Sequence, residues 1–134
     1  MNATVPTIAA LYAALLGLLG AALTINVIVN RVHYKVDAGD GGVAKLAQAI
    51  RAHANFLEQA PLALIIMAFA EASGTNTGVV HILGMALVTA RLASAYALNR
   101  SLTQSPLRQV GGGISILVVV AGAAAILAAR GGLV

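Results

Sequence analysis

Four apolar stretches, each long enough to cross a bilayer, dominate the sequence: about residues 5–30, 43–72, 77–99 and 106–130. A spanning helix needs about 20 mostly apolar residues. Lipid offers the backbone no hydrogen-bond partner, so each segment must bond within itself or join a closed barrel. The barrel does not fit, because no run alternates polar with apolar residues and Ala and Leu dominate over β-branched and aromatic types. The predicted fold class is therefore all-α: an integral membrane four-helix bundle, with residues 1–134 forming one domain of four transmembrane helices. Composition points the same way. Hydrophobic residues make up 60% of the chain and charged ones 9%, where a soluble domain carries about a quarter charged. The first stretch, from Ile8 to Val29, is too long for the core of a signal peptide and has no basic segment before it, so it reads as a span.

The breaks between spans are turn-rich. His33 to Gly42 carries Asp37, Gly39, Asp40, Gly41 and Gly42, and Ser73 to Asn76 is a short turn. Ser101 to Ser105 is a polar loop, and Ser105-Pro106 has the form of a helix cap followed by proline at the first helical position. Basic residues sort by side. Arg31, Lys35, Lys45, Arg100 and Arg108 border the first and third loops, whereas Arg130 alone lies near a span end on the other side. The positive-inside rule places the first and third loops in the cytoplasm and both termini outside. The eight Lys and Arg residues, net charge +4, are spread along the chain. They form no basic cluster, so no nucleic-acid interface is expected. Absence of Cys excludes a disulfide framework, a Cys-based zinc site and a cysteine nucleophile. His33 and His81 lack partners at metal-ligand spacing, so no metal is expected. Gly17, Gly20, Gly84 and Gly122 are small residues that let membrane helices approach closely.

The informative residues are charges inside the spans. Arg51, Asn55 and Glu58 lie in the second segment, and at about 100° per residue they fall within about 60° of one another. Gln48 and Leu62 extend this stripe, and His53 lies nearly opposite, where packing or an interhelical hydrogen bond is expected. Charged groups at membrane depth are expensive and are expected to face the bundle interior or a partner subunit. They either hold helices together or serve a ligand. A structural motive alone is weak, because a buried ion pair is often no better for stability than an apolar replacement. Pro61 removes the hydrogen bond to the Leu57 carbonyl, which either kinks the helix past Glu58 or is simply tolerated. Arg91 interrupts the third segment. Arg108 stands in the first turn of the fourth, where the helix dipole already favours an anion; snorkelling to lipid headgroups is the alternative. Glu71, at the outer end of the second segment, is expected to meet water, and Asn26 is expected to bond another helix.

The run Arg51-Ala-His53-Ala-Asn55-Phe-Leu-Glu58-Gln-Ala-Pro61 resembles the signature of the MAPEG family, the membrane-associated proteins in eicosanoid and glutathione metabolism. Gly39-Asp40-Gly41-Gly42 resembles a loop common in its bacterial members. Ser105-Pro106-Leu107-Arg108 resembles the start of the fourth helix in eicosanoid-forming members, and Arg91 falls where the family has an arginine late in its third helix. The resemblance implies a homotrimer in a bacterial inner membrane, with glutathione bound between subunits near the cytoplasmic face. It implies that Arg51 meets a carboxylate, Asn55 hydrogen-bonds the peptide, Glu58 meets the amino group, Arg91 contacts the tripeptide and Arg108 is the catalytic residue that stabilises the thiolate. A lipophilic acceptor would arrive from the bilayer. The pattern departs where several members carry tyrosines three and seven residues after the arginine: here stand Ser94 and Leu98. Tyr96 is nearby but points away from Arg91.

The chemistry is consistent with such roles. A free thiol has a pKa of about 8.5, so only a few per cent is thiolate at neutral pH. A fixed guanidinium and a helix N-terminus both favour the anion. Lowering the pKa by about two units corresponds to about 2.7 kcal/mol of differential interaction. Two functions follow: a glutathione-dependent transferase or peroxidase acting on lipophilic electrophiles or lipid hydroperoxides, or a non-catalytic lipid- or ligand-binding trimer of the same fold. Small multidrug exporters have a similar length, but they keep an essential carboxylate in the first span, and this first span has none.

Overall fold

The structure is a computed structural model describing residues 5–131. Four helices follow one another: α1 (Thr7–Tyr34), α2 (Ala44–Ala72), α3 (Thr77–Arg100) and α4 (Pro106–Gly131). Each is long and apolar enough to cross a membrane. The described residues contain no strand. α2 and α3 form a central pair. α1 packs on both from one side and α4 on both from the other, so α1 and α4 do not touch. α2 runs unbroken through Pro61. α1 continues to Tyr34, beyond the expected end near residue 30, because no glycine or proline stops it until the loop. It closes at Lys35, which takes left-handed angles (φ 56°) and donates its N–H to the Arg31 carbonyl.

The core between the helices is apolar and tightly filled, with Leu16, Leu46, Met67, Val80, Leu87 and Leu98 fully buried. The outer faces are equally apolar. Leu18, Phe69, Ile82 and Leu117 are more than half exposed, as expected where lipid rather than water surrounds the protein. Close helix approach is set by glycines. A methyl group at Gly84 would run into the Tyr12 ring, and one at Gly20 would come 2.9 Å from Phe56 Cε1. A hydrogen bond between the Tyr12 hydroxyl and His81 Nδ1 at 2.9 Å holds the ring in place. Gly84→Ala is therefore expected to destabilise the α1–α3 contact by about 1–3 kcal/mol, the usual range for overpacking. Denaturation in detergent measures it, and an unchanged midpoint would show that the ring yields.

Polar side chains bond across helices. Asn26 Nδ2 donates to Asn99 Oδ1 at 2.9 Å, joining α1 to α3 as expected of Asn26. His53 Nε2 lies 3.1 Å from Thr24 Oγ1, joining α2 to α1. The expectation for Glu71 is corrected. It is 9% exposed, and its carboxylate accepts from the backbone N–H groups of Ile8 (2.9 Å) and Ala9 (2.7 Å). The first amides of a helix have no partner within it, and a carboxylate both satisfies them and complements the helix dipole. Glu71 thus ties the start of α1 to the end of α2. Glu71→Ala is expected to lower stability by about 1–2 kcal/mol, the scale of a lost helix cap. Faster amide exchange at Ile8 and Ala9 would accompany the loss, and unchanged exchange there would refute the role.

Candidate functional site

The charged residues collect at the end of the bundle that carries the α1–α2 and α3–α4 loops, in two distinct settings. The first is buried. Arg91, on α3, is 1% exposed. Its Nη1 donates to Asn55 Oδ1 on α2 at 3.1 Å, and its Nη2 donates to the Gly111 carbonyl on α4 at 2.7 Å and to Ser94 Oγ at 3.3 Å. Gly111 makes this possible. A side chain there would meet Ser94 Oγ, and its Cβ would sit 2.8 Å from the Ala90 carbonyl oxygen. With no side chain, α4 comes close enough for its backbone carbonyl to reach the guanidinium. One arginine therefore joins three helices. It also orients Asn55: with Oδ1 held by Arg91, the Asn55 NH2 remains available as a donor on the half-buried face of α2.

The second setting is open. Arg51 and Glu58 form a two-pronged ion pair along one face of α2, Nη1 to Oε1 at 3.0 Å and Nη2 to Oε2 at 3.2 Å. Their side chains are 41% and 54% exposed. A helix rises about 1.5 Å per residue, so Arg51 starts about 10 Å from the loop end of α2 and Glu58 about 10 Å deeper. Two charges standing at membrane depth on the surface of a single chain need cover, and pairing with each other supplies only part of it.

Arg108 lies in the first turn of α4. Ser105 caps that turn: its Oγ accepts from the Arg108 N–H at 3.3 Å, and Pro106 is the first helical residue. The Arg108 guanidinium donates to the Leu102 carbonyl at 3.1 Å, which draws it back over the α3–α4 loop. Arg51 and Arg108 line one recess of about 530 Å³, together with Gly39, Asp40, Ala47, Ile50, Ala54 and Leu102. Asp40 joins it from the α1–α2 loop. In the sequence it stands out only as a turn residue between glycines, since its place in a recess with two arginines depends on how the loop folds. A smaller groove of about 220 Å³ runs deeper between α2 and α4, lined by Glu58, Gln59, Leu62, Ser115, Ile116 and Val120.

Of the five residues singled out in the sequence, Arg51 and Arg108 share the recess, Glu58 is bonded to Arg51 from deeper along α2, and Asn55 and Arg91 are bonded to each other within the helix packing. Ser94 and Leu98, at the tyrosine positions, are both buried, with Ser94 held by Arg91. No group of three or more His, Cys, Asp or Glu side chains among the described residues is arranged to hold a metal.

The sequence matches the MAPEG family model over residues 9–128. The chain belongs to the MAPEG family. It is also similar to the inner membrane protein YecN of Escherichia coli K12, with 40% identity over 95 residues covering 71% of this chain and 72% of the relative. The YecN protein of Escherichia coli O6:H1 gives the same identity and coverage. Within the MAPEG chain described above, the matched span takes in both arginine settings and all four helices except the outermost residues of α1 and α4.

Proposed function

We propose that this MAPEG protein is a glutathione-dependent membrane enzyme, a transferase or peroxidase acting on lipophilic electrophiles or lipid hydroperoxides. The observation that carries the reading is the recess lined by Arg51 and Arg108 at the basic end of the bundle. Two guanidinium groups there suit a small peptide with two carboxylates and a thiol. In this reading the basic end faces the cytoplasm, where glutathione is supplied, and the chain is a homotrimer. A neighbouring subunit then covers the exposed Arg51–Glu58 face and completes the recess.

The roles follow from position. Arg51 meets a peptide carboxylate, and Asn55 donates its NH2 to the peptide. Arg91, buried and bonded to Asn55, acts on the peptide by holding that amide in place. Glu58, bonded to Arg51, lines the groove between α2 and α4. Arg108 sits at the start of α4, where guanidinium charge and free helix N–H groups together stabilise a thiolate. The apolar groove, open toward lipid, receives the hydrophobic acceptor. The thiolate sulfur attacks its electrophilic carbon and expels the leaving group, or attacks the hydroperoxide and breaks the O–O bond, releasing the alcohol and leaving a sulfenic acid that a second glutathione converts to the disulfide and water. Purified protein mixed with glutathione near neutral pH should show thiolate absorbance and should conjugate a reactive aryl halide or reduce a hydroperoxide. The absence of all three signals counts against the enzyme.

The burial of Ser94 and Leu98 favours a second reading, a ligand-binding trimer without catalysis, since these α3 positions bring no phenol to the recess. Glutathione binding without thiolate absorbance or turnover would select it.

A further inference from the structure

We infer that Asp40 recognises the free α-ammonium group of the thiol peptide, so that the recess accepts glutathione and discriminates against thiol peptides lacking that charge. This rests on the glutathione reading above and adds a specificity residue to it. The charged groups lining the recess are Arg51, Arg108 and Asp40, brought by α2, α4 and the α1–α2 loop. Glutathione carries two carboxylates and one ammonium. With Arg108 on the thiolate and Arg51 on a carboxylate, Asp40 is the acidic group that the recess offers the ammonium.

The carboxylate that the family pattern offers for the ammonium is Glu58, which is paired with Arg51 and does not line the recess. Asp40 is differently placed. Its Oδ1 accepts from the Gly42 N–H at 2.9 Å, which fixes the side chain, and it has no ion-pair partner among the described residues. The loop that carries it is held in shape. Gly39, Gly41 and Gly42 adopt φ of 65°, 59° and 74°, angles that other residues rarely take. Arg31 Nη1 donates to the Gly39 carbonyl at 2.8 Å, pinning the loop to the end of α1. A side chain at Gly41 would come 2.8 Å from Val36 Cγ2, so the turn packs tightly on itself. A carboxylate fixed in advance loses little freedom when a cation arrives.

Asp40→Asn isolates the charge, because the asparagine carbonyl still accepts from Gly42 and the turn is kept. Calorimetric binding to the full-length protein in detergent would compare glutathione with its analogue bearing glutaryl in place of γ-glutamyl, which lacks only the ammonium. Asp40→Asn is expected to weaken glutathione about tenfold, the scale of one charge-assisted hydrogen bond, and to leave the glutaryl analogue unchanged. Asp37→Asn, on the same loop outside the recess, should change neither. Equal affinities for wild type and Asp40→Asn, or an equal loss for both peptides, overturns Asp40 as the ammonium reader while glutathione binding stands. Wild-type protein that binds neither peptide overturns the glutathione reading and Asp40's part with it.

Discussion

Replacing Arg108 with alanine is expected to abolish the thiolate absorbance of bound glutathione at neutral pH and to move the pH dependence of conjugation upward by about two units. If bound glutathione has a pKa about two units below the free value of about 8.5, the thiolate fraction at pH 7 is about three-quarters in wild type and about 3% in the variant. The sign is fixed by charge: a cation favours the anionic form, so removing it raises the pKa, and activity returns only as pH climbs toward 9. The rate should respond less than the spectrum to ionisation alone. A thiolate of lower pKa is also a weaker nucleophile, with a Brønsted slope of about 0.4–0.5. That offsets about eightfold of a 25-fold gain in thiolate, leaving a net factor of about three. A fall of about 30- to 100-fold at pH 7 therefore requires Arg108 to position the sulfur or stabilise the transition state as well. Retained absorbance in Arg108→Ala would remove this residue from the chemistry. Stopped-flow difference spectra and a rate profile from pH 6 to 9 distinguish these outcomes.

Arg91→Ala should be the most destabilising of these replacements, by about 3–5 kcal/mol. The side chain bonds Asn55, Ser94 and the Gly111 carbonyl and is 1% exposed. Interhelical hydrogen bonds in membrane proteins average about 0.6 kcal/mol each, so three supply only about 2 kcal/mol. The rest comes from the cavity left by a long side chain in a filled core. Arg91 has no carboxylate partner among the described residues, and removing its charge relieves a desolvation penalty. This predicts an order. Arg91→Met, which fills the space, should cost less than Arg91→Ala. Arg91→Lys, whose compact ammonium cannot fork between α2 and α4, should not restore wild-type stability. Denaturation in detergent measures all three, and equal losses for Met and Ala would show that the cavity contributes little. The Met variant should also weaken glutathione binding, because Asn55 loses the bond that orients it.

Much of this protein was legible in its residues. The four spans follow from apolar run lengths, since a bilayer demands about 20 residues per helix whatever the packing. Their ends agree with the helices to within a residue or two, save at α1, where no stop signal precedes Lys35. Helical periodicity places Arg51, Asn55 and Glu58 on one stripe, and Ser105-Pro106 marks the start of α4, where the cap is found. These are local properties, carried by spacing and backbone chemistry within one segment.

Pairing was decided elsewhere. Nothing in the spacing of Glu71 shows that α1 begins beside it, so its expected exposure to water gave way to two amides from a residue run more than 60 positions away. Nor does spacing show that Arg91 reaches a carbonyl bared by Gly111, or that Asp40 shares a recess with Arg51 and Arg108. Such contacts depend on how far each helix slides and turns against its neighbours, which is set by glycine and core side chains on other segments. Sequence alone determined which stretches lie in the membrane and which side chains share a helix face. Only the packed bundle decided which charges are buried as braces and which remain open to a ligand, because burial is a property of the space between helices.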